Sequence, residues 1–175
     1  MRPFNHINAR TLDEAVAALR KGDANIIAGG VDLLGTLKDN ITPAYPKTVV
    51  NIKSIPGLDY IKEENGTLKI GAATRMADIG RSELVQQKAA ALAQTASQAG
   101  TPNIREMATL AGNIAQLPRC WYFRKLENRF YCDRKGGNVC YAIQGDALIH
   151  GADCVTLLLP LWRKAQVHAR IRDED

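Results

Sequence analysis

Two adjacent glycines, Gly29 and Gly30, stand between an apolar segment that reads as a short strand over residues 25–28 and a helical segment over 31–38. A strand, a glycine pair and a helix in immediate succession leave few folds open. Glycine has no Cβ, so the backbone there can approach a ligand closely, and successive N–H groups at a helix start form an anion cradle. A pyrophosphate fits such a cradle, with Asp32 in the first helical turn. The same residues also suit a plain strand-to-helix turn, and they are not the G-x-G-x-x-G of a dinucleotide-binding unit.

The chain around this turn alternates short strands and helices. Thr11 to Glu14 (TLDE) is a capping box. Leu12, Val16 and Leu19 mark one face of a helix ending near Gly22. Residues 47–52 (KTVVNI) read as a buried strand and residues 58–62 as a third strand. Asn65-Gly66 is a hairpin turn, and residues 67–73 (TLKIGAA) alternate as a half-buried strand. Thr74 opens a short helical stretch, and residues 83–99 read as one Ala-rich helix closed by Gly100-Thr101-Pro102. A second small-residue turn follows in residues 108–114 (ATLAGNI), where Thr109 and Asn113 could donate to phosphate oxygens with Gly112 leaving room; taken alone, a plain Gly-Asn turn is the favoured reading.

Composition excludes several classes. At 175 residues, 46% apolar and 23% charged, the chain is an ordinary globular sequence, neither disordered nor collagenous nor coiled coil. Its longest apolar run, residues 155–162, is far short of the about 20 residues a membrane span needs, and its start (MRPFNHINARTLDEA) lacks the apolar core of a signal peptide. The net charge of +5 is scattered and does not argue for nucleic acid. His6, His150 and His168 are isolated, and no Ser-His-Asp or paired-carboxylate pattern is evident. Chemistry therefore falls to bound cofactors.

All four cysteines lie in the final third, at Cys120, Cys132, Cys140 and Cys154, whereas a disulfide framework would spread over a small secreted chain. The stretch 119–135 carries six Lys/Arg against two acids. An irregular, glycine-bearing loop can aim four thiolates at one cluster, and Arg119, Arg124, Arg134 and Lys135 would offset its negative charge. Zinc also accepts four cysteines, although its structural sites usually space them by roughly two to four residues, which this chain does not. By spacing alone, unconnected free thiols come first, zinc second and a cluster third.

The segments IAGGVDLL, NIKSIPGL, LKIGAATRMADI and ATLAGNI, in that order, resemble the FAD-binding subunit of the xanthine dehydrogenase family of molybdenum hydroxylases. The resemblance runs from residue 1 to about Tyr141. It implies an α+β, two-lobed FAD-binding domain of the p-cresol methylhydroxylase and vanillyl-alcohol oxidase type. The expected lobes are residues 1–54 and 55–175, with a soft boundary near Ser54 to Gly57. Carried over residue by residue, Ala28, Gly29, Gly30, Val31, Asp32, Leu33 and Leu34 match the pyrophosphate loop, and Thr109, Gly112 and Asn113 match the second flavin-contacting turn. Val31 stands where the family usually has Thr, and Ala111 where many members have Gly.

The segment QLPRCWYFR to YCDRKGGNVCYA resembles an insertion, here about residues 117–154, which binds a [4Fe-4S] cluster in the aldehyde oxidoreductase and 4-hydroxybenzoyl-CoA reductase subunits. Cys120, Cys132 and Cys140 match it. Cys154 is either the fourth ligand on a shortened approach or part of a neighbouring segment. The resemblance further implies an electron-transfer subunit working beside a molybdenum-cofactor large subunit and a [2Fe-2S] small subunit. Its expected setting is the cytoplasm, or alternatively the periplasm after export with a partner. Residues 155–171 read as a helix broken at Pro160 and then a strand, and the chain is expected to stop short of a C-terminal domain. A metal-binding or interaction module without catalysis, and a truncated subunit without flavin, are the competing readings.

Overall fold

The structure, a computed structural model, describes residues 1–144. The expectations placed on Cys154 and on residues 155–171 lie outside those residues. The chain divides into two compact units. The first comprises residues 1–38 and 44–116, and the second residues 39–43 and the chain from Leu117 onward.

In the first unit, β1 (Asn5–Asn8), β2 (Ala24–Ile27) and β3 (Thr48–Asn51) form a parallel sheet in the order β1-β3-β2. The central strand pairs Val49 with His6 on one side and with Asn25 on the other. Val49 and Val50 are fully buried, as an apolar β-branched run in a central parallel strand should be. The crossover helix α1 (Leu12–Arg20) starts where expected. Thr11 Oγ1 accepts from the Glu14 N–H at 3.1 Å, and Glu14 reaches back to the Arg10 N–H at 2.8 Å. Its buried face is not the expected one. Ala15 and Ala18 face the core beside Ala9, Val50 and Ile55, while Leu12 and Val16 remain 59% and 44% exposed. Small residues let the helix lie close on the sheet, so volume rather than hydropathy selects the inward face.

A second core begins after residue 60. The hairpin of β4 (Ile61–Glu64) and β5 (Thr67–Ile70) turns through Asn65 and Gly66, both at positive φ, as a type I′ turn requires. The strand expected over residues 58–62 thus starts later and runs to Glu64. Helices α3 (Met76–Arg81), α4 (Glu83–Lys88) and α5 (Ala90–Gln98) pack Met76, Ile79, Val85, Ala93 and Ala96 into one cluster with Ile61, Leu68 and Ile70 at its edge. The single helix expected over residues 83–99 is broken at Ala89 (φ −148°, ψ 60°). The reason is tertiary: an added Cβ on Gly80 of α3 would sit 3.1 Å from the Ser97 nitrogen of α5. That contact, with Ala93 and Ala96 packed on Ile79 and Val85, sets the course of α5. Two apolar clusters therefore sort on either side of residues 58–61, and both belong to the first unit.

Candidate functional site

Both glycine turns lie in the first unit, and the fold brings them together. After β2 the chain turns through Gly29 and Gly30 into α2 (Leu33–Lys38). The Leu34 N–H donates to the Gly30 carbonyl at 3.0 Å, and the Thr36 N–H to that of Asp32 at 3.1 Å. The two glycines have different reasons to be glycine. Gly30 has φ +72°, a left-handed conformation that side chains disfavour. Gly29 abuts another segment: a Cβ there would lie 2.1 Å from the Met107 carbonyl oxygen and 3.1 Å from the Ala108 Cα.

The segment it abuts is the second turn. Thr101 caps α6 (Pro102–Met107), accepting from the Ile104 N–H at 3.3 Å, with Pro102 opening the helix. The chain then runs antiparallel to residues 72–76. Met76 N–H donates to Ala108 at 2.9 Å, Leu110 N–H to Thr74 at 2.9 Å, and Ala111 N–H to Ala72 at 3.1 Å, around a bridge between Arg75 and Thr109. Thr109 caps α7 (Leu110–Ile114) by accepting from the Gly112 N–H at 3.3 Å, and only 1% of the residue is exposed. Its hydroxyl therefore builds the turn. Gly112 lies at the surface and Asn113 is half-buried. Val31, Leu34, Met107 and Ile114 leave apolar side chains exposed on these same segments. Backbone turns with an apolar margin suit a ligand that joins a phosphate group to flat rings. A separate cavity of about 360 Å³ sets Lys53 and Arg75 against Asp59 and Asp78, a balanced lining that offers a pyrophosphate no advantage.

The cysteines belong to the second unit. Cys120 and Cys132 pack into one apolar cluster with Ile41 and Phe123. The Arg124 guanidinium holds the start of the loop by donating to the carbonyls of Pro118 and Leu117, each at 2.7 Å. Gly136 (φ +95°) and Gly137 let the loop double back: the Gly137 and Lys135 N–H groups donate to the Cys132 carbonyl, and the Asp133 N–H to that of Val139. A Cβ on Gly137 would strike the Tyr131 carbonyl oxygen at 2.0 Å. Cys132 and Cys140 consequently flank a closed loop. The three described cysteines are free, Cys132 only 8% exposed. Among the described residues no three metal-ligating side chains form one group.

One neighbour of the thiols was expected as one of four cations offsetting a cluster's negative charge. Lys135 is 7% exposed, and its ammonium is buried with no hydrogen-bond partner among the described residues. It lies 5.1 Å from the centre of the Phe123 ring. Burial pushes its pKa below the ordinary lysine value, against upward pulls from Cys132 and Cys120. Thiols are the donor type a thiolate-bound metal centre needs, but the described residues do not bring three of them into one group.

Comparison with known proteins bears mainly on the first unit. The family described as the FAD binding domain in molybdopterin dehydrogenase matches residues 2–173. The nicotinate dehydrogenase FAD-subunit of Eubacterium barkeri is 34% identical over 118 residues, 66% of this chain and 39% of that protein. The aldehyde oxidoreductase FAD-binding subunit PaoB of Escherichia coli is 32% identical over 154 residues, 86% of this chain and 46% of its own length. That match is longer than residues 1–116 and so reaches into the cysteine segment. A solved carbon monoxide dehydrogenase from Hydrogenophaga pseudoflava superposes with a TM-score of 0.61 at 36% identity, covering 66% of this chain and 41% of that one. The chain thus spans less than half the length of each of these relatives. The mixed helix and strand architecture, the order of the two glycine turns and the match over residues 2–173 agree, and the chain belongs to the family of FAD-binding domains of molybdopterin dehydrogenases.

Proposed function

We propose that this chain is the FAD-binding, electron-transferring part of a molybdenum hydroxylase complex, an oxidoreductase whose substrate is oxidised on a partner subunit. The observation that carries this reading is the contact of Gly29 with Met107 and Ala108, which sets the two small-residue turns side by side. In this reading residues 28–34 hold the pyrophosphate, with Gly30 keeping the loop in the left-handed conformation that exposes backbone to the ligand. Gly112 leaves the second turn open, Asn113 offers an amide, and Thr109 keeps the turn in shape through its cap. Val31, Leu34, Met107 and Ile114, exposed on these segments, would offer apolar surface to a flavin. Bound FAD would supply the redox chemistry. The domain is of the two-lobed p-cresol methylhydroxylase type, a reading supported by the two apolar clusters that sort near residues 58–61.

The finer reading adds a [4Fe-4S] cluster held by Cys120, Cys132 and Cys140, with Cys154 as the fourth ligand. It is supported by the all-thiol donor set, the pairing of Cys120 with Cys132 in one cluster, and the loop closure that flanks Cys132 and Cys140. The partners in this reading are a molybdenum-cofactor subunit and a [2Fe-2S] subunit, and the compartment is the cytoplasm, or the periplasm after export with a partner. No helix among the described residues is long and apolar enough to cross a membrane. The test is cofactor analysis of the full chain, alone and co-expressed with such partners. Flavin near one per chain that falls in Gly30→Val, while that variant stays folded, supports the reading. Unchanged flavin in folded Gly30→Val removes the loop from the site.

A further inference from the structure

The helix that leads into the second turn has no core of its own. α6 spans six residues, and none of them is buried. Helices this short are marginal in water and draw most of their stability from tertiary packing. Yet α6 carries the contact on which the flavin reading turns, since it ends at Met107, whose carbonyl oxygen lies against Gly29. Its start is tied locally: Thr101 caps it, and the Arg105 guanidinium donates to the Gly100 carbonyl at 2.7 Å. Past its end, the Met76 N–H donates to the Ala108 carbonyl. Among the described residues, Glu106 is the one α6 side chain that is ion-paired or hydrogen-bonded to another element. Its carboxylate takes two arginines. Oε1 accepts from Arg81 Nη2, and Oε2 lies 3.8 Å from Arg75 Nη1. Arg75 immediately precedes α3 and Arg81 ends it, so Glu106 joins α6 to both ends of α3. Arg75 is fixed in turn, with Nε 3.4 Å from Asp78 Oδ2 and its backbone bridged to Thr109 of the second turn.

We propose that Glu106 is a positioning residue for the flavin: by holding Arg75 and Arg81 at the two ends of α3, it sets α6 so that Met107 and Ala108 lie against Gly29 and the two turns stay together. The proposal rests on the flavin reading above. A single exposed ion pair is a weak contact, but one carboxylate shared by arginines at both ends of a helix fixes direction as well as distance. Without it α6 keeps its cap and loses its heading. A site assembled in only a fraction of the molecules binds more weakly by that fraction. The sign of the effect separates this role from the field of the whole chain. FAD is an anion, and removing an acid from a chain of net charge +5 makes the chain more positive. The field alone would therefore tighten binding, whereas lost positioning weakens it.

The experiment titrates FAD into the flavin-free full chain and follows the quenching of flavin fluorescence. It compares the parent with Glu106→Gln, with the double variant Arg75→Gln, Arg81→Gln, and with the triple variant. Glu106→Gln is expected to bind FAD about three- to tenfold more weakly, the range two exposed pairs can supply. Added salt should narrow its gap to the parent, because salt screens exposed pairs. The triple variant should bind no more weakly than the arginine double variant, because groups that act as one unit do not add. Flavin-free Glu106→Gln should melt within about 4 °C of the parent, as the loss of exposed pairs costs a chain of this size little. A much larger drop assigns Glu106 to the stability of the fold and overturns the proposal. FAD binding in Glu106→Gln that equals or exceeds the parent's also overturns it, and leaves the flavin reading standing. A triple variant weaker than the arginine double variant overturns it too, since Glu106 would then act without the arginines. A parent chain that binds no FAD overturns the flavin reading and this one with it.

Discussion

Gly29 and Gly30 are neighbours in sequence and opposites in cause. A Cβ at Gly29 would collide with backbone, the Met107 carbonyl oxygen at 2.1 Å, which cannot rotate away. Gly29→Ala should therefore separate the two turns and destabilise the flavin-free chain at or beyond the upper end of the about 1–3 kcal/mol that overpacking costs. At Gly30 a Cβ would meet only the ends of the Ile27 and Leu34 side chains, each at 3.1 Å, so the main cost is the left-handed φ. That cost is about 1–2 kcal/mol, and Gly30→Ala should melt only slightly early. Chemical denaturation of both variants without flavin checks the order; equal losses would contradict it. The sequence marks the pair as one feature because local pattern sees only a turn. The demand on Gly29 comes from a residue far along the chain. Lys135 was hidden for the same reason: among six basic residues in the stretch 119–135, nothing local marks the one that folding buries.

At the scale of elements, starts and turns were legible because their signals are local. The Thr11 cap and the Asn65-Gly66 hairpin are specified within four residues. The break at Ala89 was not, because an Ala-rich run is a good helix anywhere and the packing that places α5, Gly80 against Ser97 and Ala93 and Ala96 against Val85 and Ile79, comes from distant residues. The α7 cap carries a prediction. Thr109→Val keeps the buried shape but loses the acceptor for the Gly112 N–H, which should cost about 0.5–2 kcal/mol and lower flavin retention, read by denaturation and by flavin absorbance. The β4–β5 hairpin carries another. Hydrogen bonds from Lys62 and then Lys69 hold the Glu64 carboxylate at a pKa of about 2, against an ordinary 4.5. A depressed acid stabilises the fold above its ordinary pKa, and that contribution disappears as pH falls from 4.5 toward 2. Glu64→Gln should flatten the decline of the melting temperature across that window and leave the decline elsewhere unchanged. Because the pair is solvent-exposed, added salt should shrink the difference.

At the scale of the molecule, the two candidate sites fall in different compact units. The glycine turns lie in residues 1–38 and 44–116, and the described cysteines lie from Leu117 onward. Each site is closed by bonds internal to its own unit: the ladder of residues 72–76 with 108–111 for the turns, and the Cys132–Gly137 and Asp133–Val139 bonds for the loop. Among the described bonds, those that close one site involve none of the residues that close the other, and sites of that kind should act independently. Cofactor content should therefore dissociate in both directions. Gly30→Val should lose flavin and keep the iron of the parent, since the described bonds that close the cysteine loop lie within residues 132–139. Cys132→Ser should lose iron and keep flavin, since the described bonds that hold the second turn join residues 72–76 to 108–111. Flavin absorbance and iron counting on the same anaerobic preparations read both quantities, and the double variant should lose both without further loss of either. If Cys132→Ser emptied the flavin site, or Gly30→Val stripped the iron, the two units would form one cooperative cofactor-binding body. The PaoB-like match, which runs from the turns into the cysteine segment, would then reflect a single site.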